Sequence, residues 1–372
     1  MSRLAPSIAI LIVASLGSQA FAADPGEQWD GGMDFRGGYQ SYQPKDWNDL
    51  GEQGDGIHFE TGLRYWYSMG SQSFEESSEG AFETTDAAHS GEAFLRIGDD
   101  ATATYAKAWV GYSGVIAGEF TAPPGSGDVV DGVIGYGGGD FGWNMFNDGQ
   151  GNGLGGFVGY NYWNNSPRTY RSDFTTAQTS GDVSYNPDTG DWSVGGDSVD
   201  DMVQYNMLRL GLSGKAEFNN FFDISAEVAA VPYATVNGVL GGHNPAPTGS
   251  FSGSGCLIVE APCPEEFLKA SSTSINGWGY GAMAEVMAGI KPVENLTIRL
   301  GGRAWYLQGT YDATWREVAI TPPMEQPEEG EPPAPPDPLF SAPSLGSTNW
   351  ISTSNPFSAF RYGLLAEVTY SF

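Results

Sequence analysis

The chain has 372 residues, with 45 Asp and Glu against 16 Lys and Arg, and a formal net charge of −29. A chain this acidic lacks the basic surface that nucleic acid requires, and simple attraction to anionic lipid headgroups is excluded as well. Glycine (53 residues) and the aromatic residues (11 Trp, 18 Tyr and 20 Phe) are abundant.

Residues 1–22 have the pattern of a cleaved secretory signal peptide. Arg3 precedes an apolar run at residues 8–16, and Ala20 and Ala22 provide small residues for cleavage after residue 22. The apolar run is shorter than the ~20 residues of a membrane-spanning helix, which argues against an uncleaved anchor. Residues 23–55 are rich in Gly, Asp and Trp and are predicted to form a periplasmic segment before a barrel at residues 56–372.

From residue 57 onward, apolar and polar residues alternate with a period of two, which predicts β-strands with one apolar face. Ten such strands are recognisable. Short turns are predicted near residues 98–100, 147–152, 219–220 and 291–295. Long connections are predicted over about 70–91, 113–128, 164–202, 237–274 and 315–356. Within the last of these, residues 321–338 are acidic and Pro-rich and are predicted to form a flexible surface loop.

Four features favour an all-β, antiparallel transmembrane barrel with long extracellular loops over a soluble β-sandwich. The number of strands is even, short and long connections alternate, aromatic residues cluster near strand ends, and charges recur in mid-strand on one face. Barrels of 8 or 12 strands are the alternatives. Several strands reach about 16 residues, whereas a span needs only ~9–11, so the wall is expected to project beyond the membrane on the long-loop side.

The polar face of each strand is expected to point into the barrel lumen. Barrels of about eight strands are filled by side chains, whereas open channels belong to those of 16–18 strands. The inward charges carry both signs, so we predict a network of ion pairs that fills the lumen; the alternative is a narrow pore with charged walls. The predicted members are Glu60, Arg64, Arg96, Lys107, Arg209, Lys215, Glu217, Glu227, Glu285, Arg299, Arg303, Arg361 and Glu367.

Three further sites are predicted outside the lumen. Cys256 and Cys263 have the spacing of a small loop disulfide in an exported protein. Arg168 and Arg171 follow the fifth strand and are candidate contacts for lipopolysaccharide phosphates. The acidic loops are candidate sites for divalent cations that bridge to lipopolysaccharide, although acidic residues also simply keep a surface soluble.

Two resemblances point to the outer membrane of a Gram-negative bacterium. The last strand ends on Tyr370 and Phe372, and this resembles the signal by which the barrel-assembly machinery recognises outer-membrane proteins for insertion. A group of alphaproteobacterial outer-membrane β-barrels of uncharacterised type is similar over most of the mature chain. The segments that carry this similarity are "LRYWYS" (63–68), "GGFVGYNYW" (155–163), "LGGRAWYLQGTY" (300–311) and "RYGLLAEVTYSF" (361–372).

Ten long strands with five large outer loops also resemble the architecture of the omptin family of outer-membrane proteases. That resemblance implies a pair of aspartates and an Asp-x-His pair at the barrel mouth. His243 has Gly rather than Asp two positions earlier, and Asp128 and Asp131 have Asp-x-x-Asp spacing. His89 is interpreted as a loop histidine. No motif for a metal, phosphate or other cofactor stands out.

The sequence therefore predicts a non-enzymatic outer-membrane protein with a structural or surface-interaction role. A narrow porin-like channel and an omptin-like surface hydrolase are the alternatives.

Overall fold

Ten long antiparallel strands form a closed ring in the computed structural model, which confirms the predicted β-barrel. The structure describes residues 56–372 apart from 77–79, 123–124, 148–151, 170–173, 176–182, 187–190, 195, 198–199, 220, 242–247, 251–265 and 322–343. The wall strands are β1 Ile57–Glu76, β2 Gly80–Asp99, β3 Thr104–Ala122, β4 Gly125–Asn147, β5 Gly153–Thr169, β6 Met202–Asn219, β7 Phe222–Leu240, β8 Thr273–Val293, β9 Leu296–Thr321 and β10 Ser344–Ser371.

Each wall strand pairs with the next in chain order, and β1 pairs with β10 to close the ring. At the seam, the backbone amides of Phe59 and Phe372 each donate to the carbonyl of the other at 3.0 Å. The paired residues can be traced around the ring from Arg64 in both directions. The trace through β2 reaches β6 at Tyr205, whereas the trace through β10 reaches β6 at Glu217. This offset is the stagger that tilted barrel strands require, and closure leaves no open edge in lipid.

Both ends of the ring sequence lie at one rim, which we call the short-turn rim because each connection in it has at most five residues. It contains the connections at 100–103, 148–152, 220–221 and 294–295. In the first turn, Asp99 accepts hydrogen bonds from the Thr102 hydroxyl (2.8 Å) and the Ala101 amide (2.9 Å). These bonds, the Thr102 one foremost, lower the pKa of the Asp99 carboxyl. In outer-membrane barrels the rim with short turns faces the periplasm.

The opposite rim is taller than the sequence predicted. The predicted long connections at 70–91 and 113–128 are mostly strand, because only 77–79 separate β1 from β2 and 123–124 separate β3 from β4. Here the strands have left the membrane and water reaches their outer face, so the contrast between an apolar and a polar face is lost. Strand patterns of period two depend on that contrast, so these segments were wrongly interpreted as loops.

The remaining long connections contain short strands. Phe174–Thr175 pairs with Gly196–Asp197, and Val183–Asn186, Asp191–Val194 and Thr248–Ser250 form a small sheet. Glu266–Lys269 pairs with the upper part of β9. No helix in the part of the chain that the structure describes has the length and apolar character to cross a membrane.

An apolar belt surrounds the outside of the ring. Along β10, the outward aromatic pairs Phe360/Tyr362 and Tyr370/Phe372 flank Leu364, which is 70% exposed. At ~3.3 Å per residue and ~40° tilt, these pairs are separated by ~20–30 Å, close to the ~25 Å apolar band of outer-membrane barrels. Other exposed apolar residues at the level of the belt are Leu63, Val110, Leu212, Val228, Val286 and Leu300.

A β-bulge in β7 changes which residues face the lumen. The register with β8 shifts between Val231 and Ala234, around Pro232, which cannot donate to the ladder. Asp223 faces the lumen, so a strict alternation along β7 predicts that every even-numbered residue, Val236 included, faces lipid. Val236 is instead fully buried inside the ring. The strict period of two was therefore wrong beyond the bulge, because the extra residue reverses the two faces.

Glycines on the inner face make room for aromatic rings of the neighbouring strand. A Cβ atom on Gly111 of β3 would overlap the Tyr136 ring of β4, and one on Gly142 of β4 would lie 2.6 Å from the Tyr105 ring of β3. Since protein interiors are close-packed, such positions exclude any side chain. Part of the high glycine content is thus explained by the aromatic residues that fill the lumen.

Gly111→Ala is expected to lower the free energy of unfolding by about 1–3 kcal/mol, the usual cost of overpacking a close-packed interior. Denaturant unfolding of the refolded barrel measures it. Gly91→Ala is the matched control, because a Cβ there meets nothing within 4 Å. Equal stability of the two variants would show that the Tyr136 ring moves aside without cost.

Candidate functional site

All charged residues predicted for the lumen lie on the inner face of the ring, and most of them form ion pairs with one another. They occupy three levels: the short-turn rim, the middle of the barrel, and a higher position near the upper edge of the apolar belt. The middle level is the densest. We call it the ion-pair layer, and its members are Arg64, Glu92, Lys107, Asp140, Arg209, Asp223, Glu227, Glu285, Arg299, Arg303 and Glu367.

Two arginines and two glutamates form the centre of the ion-pair layer. Glu92 accepts from Arg64 at 2.9 Å and from Arg303 at 2.7 Å, and its side chain is fully buried. Arg303 also bonds Glu285 at 2.7 Å, and Arg64 lies 3.5 Å from the same carboxylate. Each carboxylate thus faces two guanidinium groups, which offsets the large cost of burying charge away from water.

The layer continues around the lumen through further pairs. Glu367 links Arg64 to Arg299, and Arg299 bonds Asp223 at 3.2 Å through two nitrogens. On the opposite wall, Lys107 bonds Glu227 at 2.7 Å and Arg209 bonds Asp140 at 3.2 Å. Paired Arg–carboxylate geometry of this kind fixes side-chain orientation as well as charge.

Arg361 lies above the layer and is almost fully buried. Its Nη2 donates to both oxygens of Asp86 at 2.7 and 2.8 Å, and its Nη1 donates to Ser68 at 3.0 Å. Asp86 was predicted to lie in the first long connection and is instead an inward residue of β2. The sequence prediction missed four carboxylates that pair with predicted cations, namely Asp86, Glu92, Asp140 and Asp223. Their position on the inward side of the alternation could have identified all but Asp86.

The rim residues are more open. Glu217 joins Lys215 and Lys291, each at 2.7 Å. Arg96 and Glu60 come no closer than 3.8 Å. His58, also at this rim, lies 3.6 Å from Asp100.

Aromatic residues close the lumen directly above the ion-pair layer. We call Trp66, Tyr136, Trp163, Tyr205 and Trp305 the aromatic plug. Tyr136 and Trp163 are stacked with ring centres 4.7 Å apart, and Trp163 packs edge-on against Trp66 (5.7 Å) and Trp305 (5.3 Å). All five are at least 95% buried. The plug was not predicted from the sequence.

Cation–π contacts join the aromatic plug to Arg303 of the ion-pair layer and to Arg361 above that layer. The guanidinium carbon of Arg303 lies 5.1 Å from the Trp66 ring, and that of Arg361 lies 5.5 Å from Trp163. Such contacts are strongest where water is absent. The plug and the ion pairs therefore stabilise each other.

Two cavities lie on the lumen axis among the described residues. One of about 230 Å³ opens at the short-turn rim, and we call it the vestibule; the other, of about 40 Å³, lies between the ion-pair layer and the aromatic plug. Arg64, Lys107, Glu227 and Glu285 line both cavities and so separate them. Above the plug the interior is filled by Phe74, Tyr311 and Phe357, whose rings are in contact.

The histidines do not assemble with carboxylates at the upper mouth in the described residues. His89 was interpreted as a loop residue, which is wrong: it lies in β2, faces outward, and its Nδ1 is 2.5 Å from the Tyr65 hydroxyl. His243 lies outside the described residues. Within the described part of the chain, no three His, Cys, Asp or Glu side chains are arranged to hold a metal ion.

The other predicted sites are only partly described. Arg168 lies on the outer face of β5 and forms an exposed ion pair with Asp131 at 2.8 Å. Arg171, Cys256 and Cys263 lie outside the described residues, as do residues 1–55 and 322–343. Phe372 faces outward at the short-turn rim and stacks on Phe59 at 5.6 Å.

Comparison with known proteins supports the fold. No protein-family profile matches the chain, and neither does any curated protein. The outer membrane protease OmpT from Escherichia coli superimposes with a TM-score of 0.51 at 10% identity, over 86% of this chain and 97% of OmpT. The translocator domain of the autotransporter NalP from Neisseria meningitidis (TM-score 0.32, 11% identity, 87% and 91% covered) and the Pseudomonas putida toluene transporter TodX (0.25, 9%, 87% and 92%) are more distant.

The likeness to OmpT concerns the fold alone. Together with the closed ring, the apolar belt and the aromatic girdles, it identifies an outer-membrane β-barrel with omptin-like architecture. A barrel of this type lies in the outer membrane of a Gram-negative bacterium.

Proposed function

We propose that this barrel is a non-conducting, non-enzymatic protein of the outer membrane with a structural or surface-interaction role. The observation that carries the proposal is the double closure of the lumen, by the ion-pair layer and by the aromatic plug. A porin-like channel requires a continuous polar gap, whereas the described lumen is interrupted at both levels. An omptin-like hydrolase requires carboxylates and a histidine together at the mouth, and His58 and His89 lie elsewhere.

The projecting wall supports the surface-interaction role. β9 and β10 have 26 and 28 residues, far beyond the ~9–11 of a span, and their upper parts form a ribbon above the belt. In the described residues, the pairing of β10 with β1 ends at Phe357, so 344–356 have β9 as their one neighbour. Residues 344–352 carry no charge, and Trp350 and Ile351 are exposed. Such an edge is suited to pairing with an extended segment of a partner.

The proposed partners at the membrane are outer-membrane lipid and lipopolysaccharide. Arg168 is a candidate phosphate contact, but its guanidinium already forms an ion pair with Asp131. The strongly acidic composition favours divalent cations as bridges to lipopolysaccharide phosphates. Tyr370 and Phe372 are proposed as the recognition signal for the barrel-assembly machinery.

In a planar lipid bilayer, the refolded mature chain (residues 23–372) is expected to give no steady conductance, because both closures block the lumen. Single-channel recording measures this, with heat-modifiable gel mobility to verify folding and a 16-stranded porin as the positive control. Reproducible conductance steps from the folded protein would favour the channel alternative and make the inward charges selectivity residues.

A further inference from the structure

We infer that the vestibule is a binding site, open to the periplasm, for a small zwitterion of the amino-acid class. This goes beyond the proposed surface role, which makes no use of the vestibule. The site centres on Arg96 and Glu60, which both line the cavity of about 230 Å³.

Arg96 differs from the other charged lumen residues of the described chain. Each of the other lumen arginines and lysines contacts a carboxylate at 3.2 Å or less. The nearest carboxylate to Arg96 is Glu60 at 3.8 Å, beyond hydrogen-bonding distance, and the Arg96 side chain is 28% exposed. A guanidinium group with open donors is a site for a carboxylate, which it binds through two parallel bonds.

The Arg96 guanidinium is also held in place. Its carbon lies 4.3 Å from the centre of the Tyr105 ring, and the Tyr105 hydroxyl is in turn 3.1 Å from Ser213. Stacking fixes the plane of the guanidinium before any ligand binds, so little entropy is lost on binding.

Glu60 provides the second charge. Its side chain is 19% exposed. Within the described structure its carboxylate forms no hydrogen bond, and its one ion-pair contact is the 3.8 Å contact with Arg96. An open guanidinium next to an open carboxylate is complementary to a molecule that carries a carboxylate and an ammonium close together. A singly charged ligand would satisfy one partner and leave the other desolvated, which is costly.

Two apolar residues offer a contact for an apolar side chain of the ligand, in a wall that is otherwise mostly polar or charged. Phe94 and Met287, 6% and 2% exposed, line the same cavity. L-leucine is therefore chosen as the probe: it has a carboxylate for Arg96, an ammonium for Glu60, and an apolar side chain for Phe94 and Met287.

Isothermal titration of the refolded mature chain in a non-ionic detergent at low ionic strength tests the inference. L-leucine is expected to bind saturably with one site. 4-Methylpentanoate, which lacks the ammonium, and 3-methylbutylamine, which lacks the carboxylate, are expected to bind at least about tenfold more weakly, as for a lost hydrogen bond to a charged group.

Variants locate the site. Arg96→Gln and Glu60→Gln are each expected to weaken L-leucine binding at least about tenfold, whereas Arg168→Gln, an arginine on the outer face, leaves it unchanged. No saturable heat with L-leucine, equal binding by the singly charged analogues, or equal binding by folded Arg96→Gln would each overturn the inference. If Arg96→Gln does not fold, Glu60→Gln and the analogue series on the unmodified chain still decide it.

Discussion

Glu92→Gln is expected to lower the free energy of unfolding of the barrel by about 3–5 kcal/mol, although the two side chains have almost the same shape. The carboxylate accepts from both Arg64 and Arg303 and is fully buried. An amide in its place removes the negative charge and leaves Glu285 as the one carboxylate of the centre that faces both guanidinium groups. Guanidinium or urea unfolding of the protein in lipid vesicles measures the change.

The matched control is Glu83→Gln on the same strand. Glu83 faces outward in the upper part of β2 and is exposed, so its substitution is expected to change the stability by less than about 0.5 kcal/mol. A loss for Glu92→Gln no greater than that for Glu83→Gln would mean that Arg64 and Arg303 find other acceptors. Glu285 and Glu367 are the candidates, since both already contact Arg64.

The fold could be predicted because the membrane imposes a simple pattern on the sequence. Within the belt, one face of every strand meets lipid and the other meets the lumen, so inward and outward residues such as Arg299 and Leu300 alternate. Closure of the ring in lipid then requires the last strand to pair with the first, and β10 does pair with β1. Above the belt this constraint ends. The segments around His89 and Val115 were interpreted as loops although they are strand.

The site could be predicted by residue type but not by contact. Alternation identified the inward cations, yet which carboxylate meets Arg361 depends on the stagger between β2 and β10 on the two sides of β1, where Asp86 and Arg361 both lie opposite Gly70. That stagger places Asp86 within hydrogen-bonding distance of Arg361, although 275 positions separate them in the sequence. The bulge at Pro232 is a second case, because one extra residue reverses the faces of the rest of β7. The aromatic plug was missed since tryptophan and tyrosine in a barrel sequence are equally expected in the outer girdles.

The two closures stabilise each other because they are adjacent along the barrel axis. Charged side chains need their partners within about 3 Å, and an arginine needs several acceptors at once. Rings such as Trp66 and Trp163 exclude water from one side of the ion-pair layer, which strengthens each pair in it. The layer in turn supplies Arg303, whose guanidinium lies over the Trp66 ring of the plug. A substitution that removes contacts in one level is therefore expected to destabilise the other level as well.

Trp163→Ala tests this coupling from the side of the plug. Trp163 contacts Trp66, Tyr136 and Trp305 and lies beneath the Arg361 guanidinium. Its removal leaves a cavity and is expected to lower the free energy of unfolding by about 3–5 kcal/mol, as for other buried tryptophans. Trp350→Ala, on the exposed ribbon and 45% exposed, is the matched control and is expected to cost less than about 0.5 kcal/mol.

The same variant separates the contributions of the two closures to the blocked lumen. In a planar bilayer, Trp163→Ala is expected to remain silent, because the ion-pair layer is still intact below the vacated position. Steady conductance from Trp163→Ala would contradict this and show that the plug alone holds the lumen closed. The ion pairs of the layer would then have to break readily to let ions pass. Weak pairs of this kind would also predict a small loss of stability for Glu92→Gln, which denaturant unfolding of that variant measures.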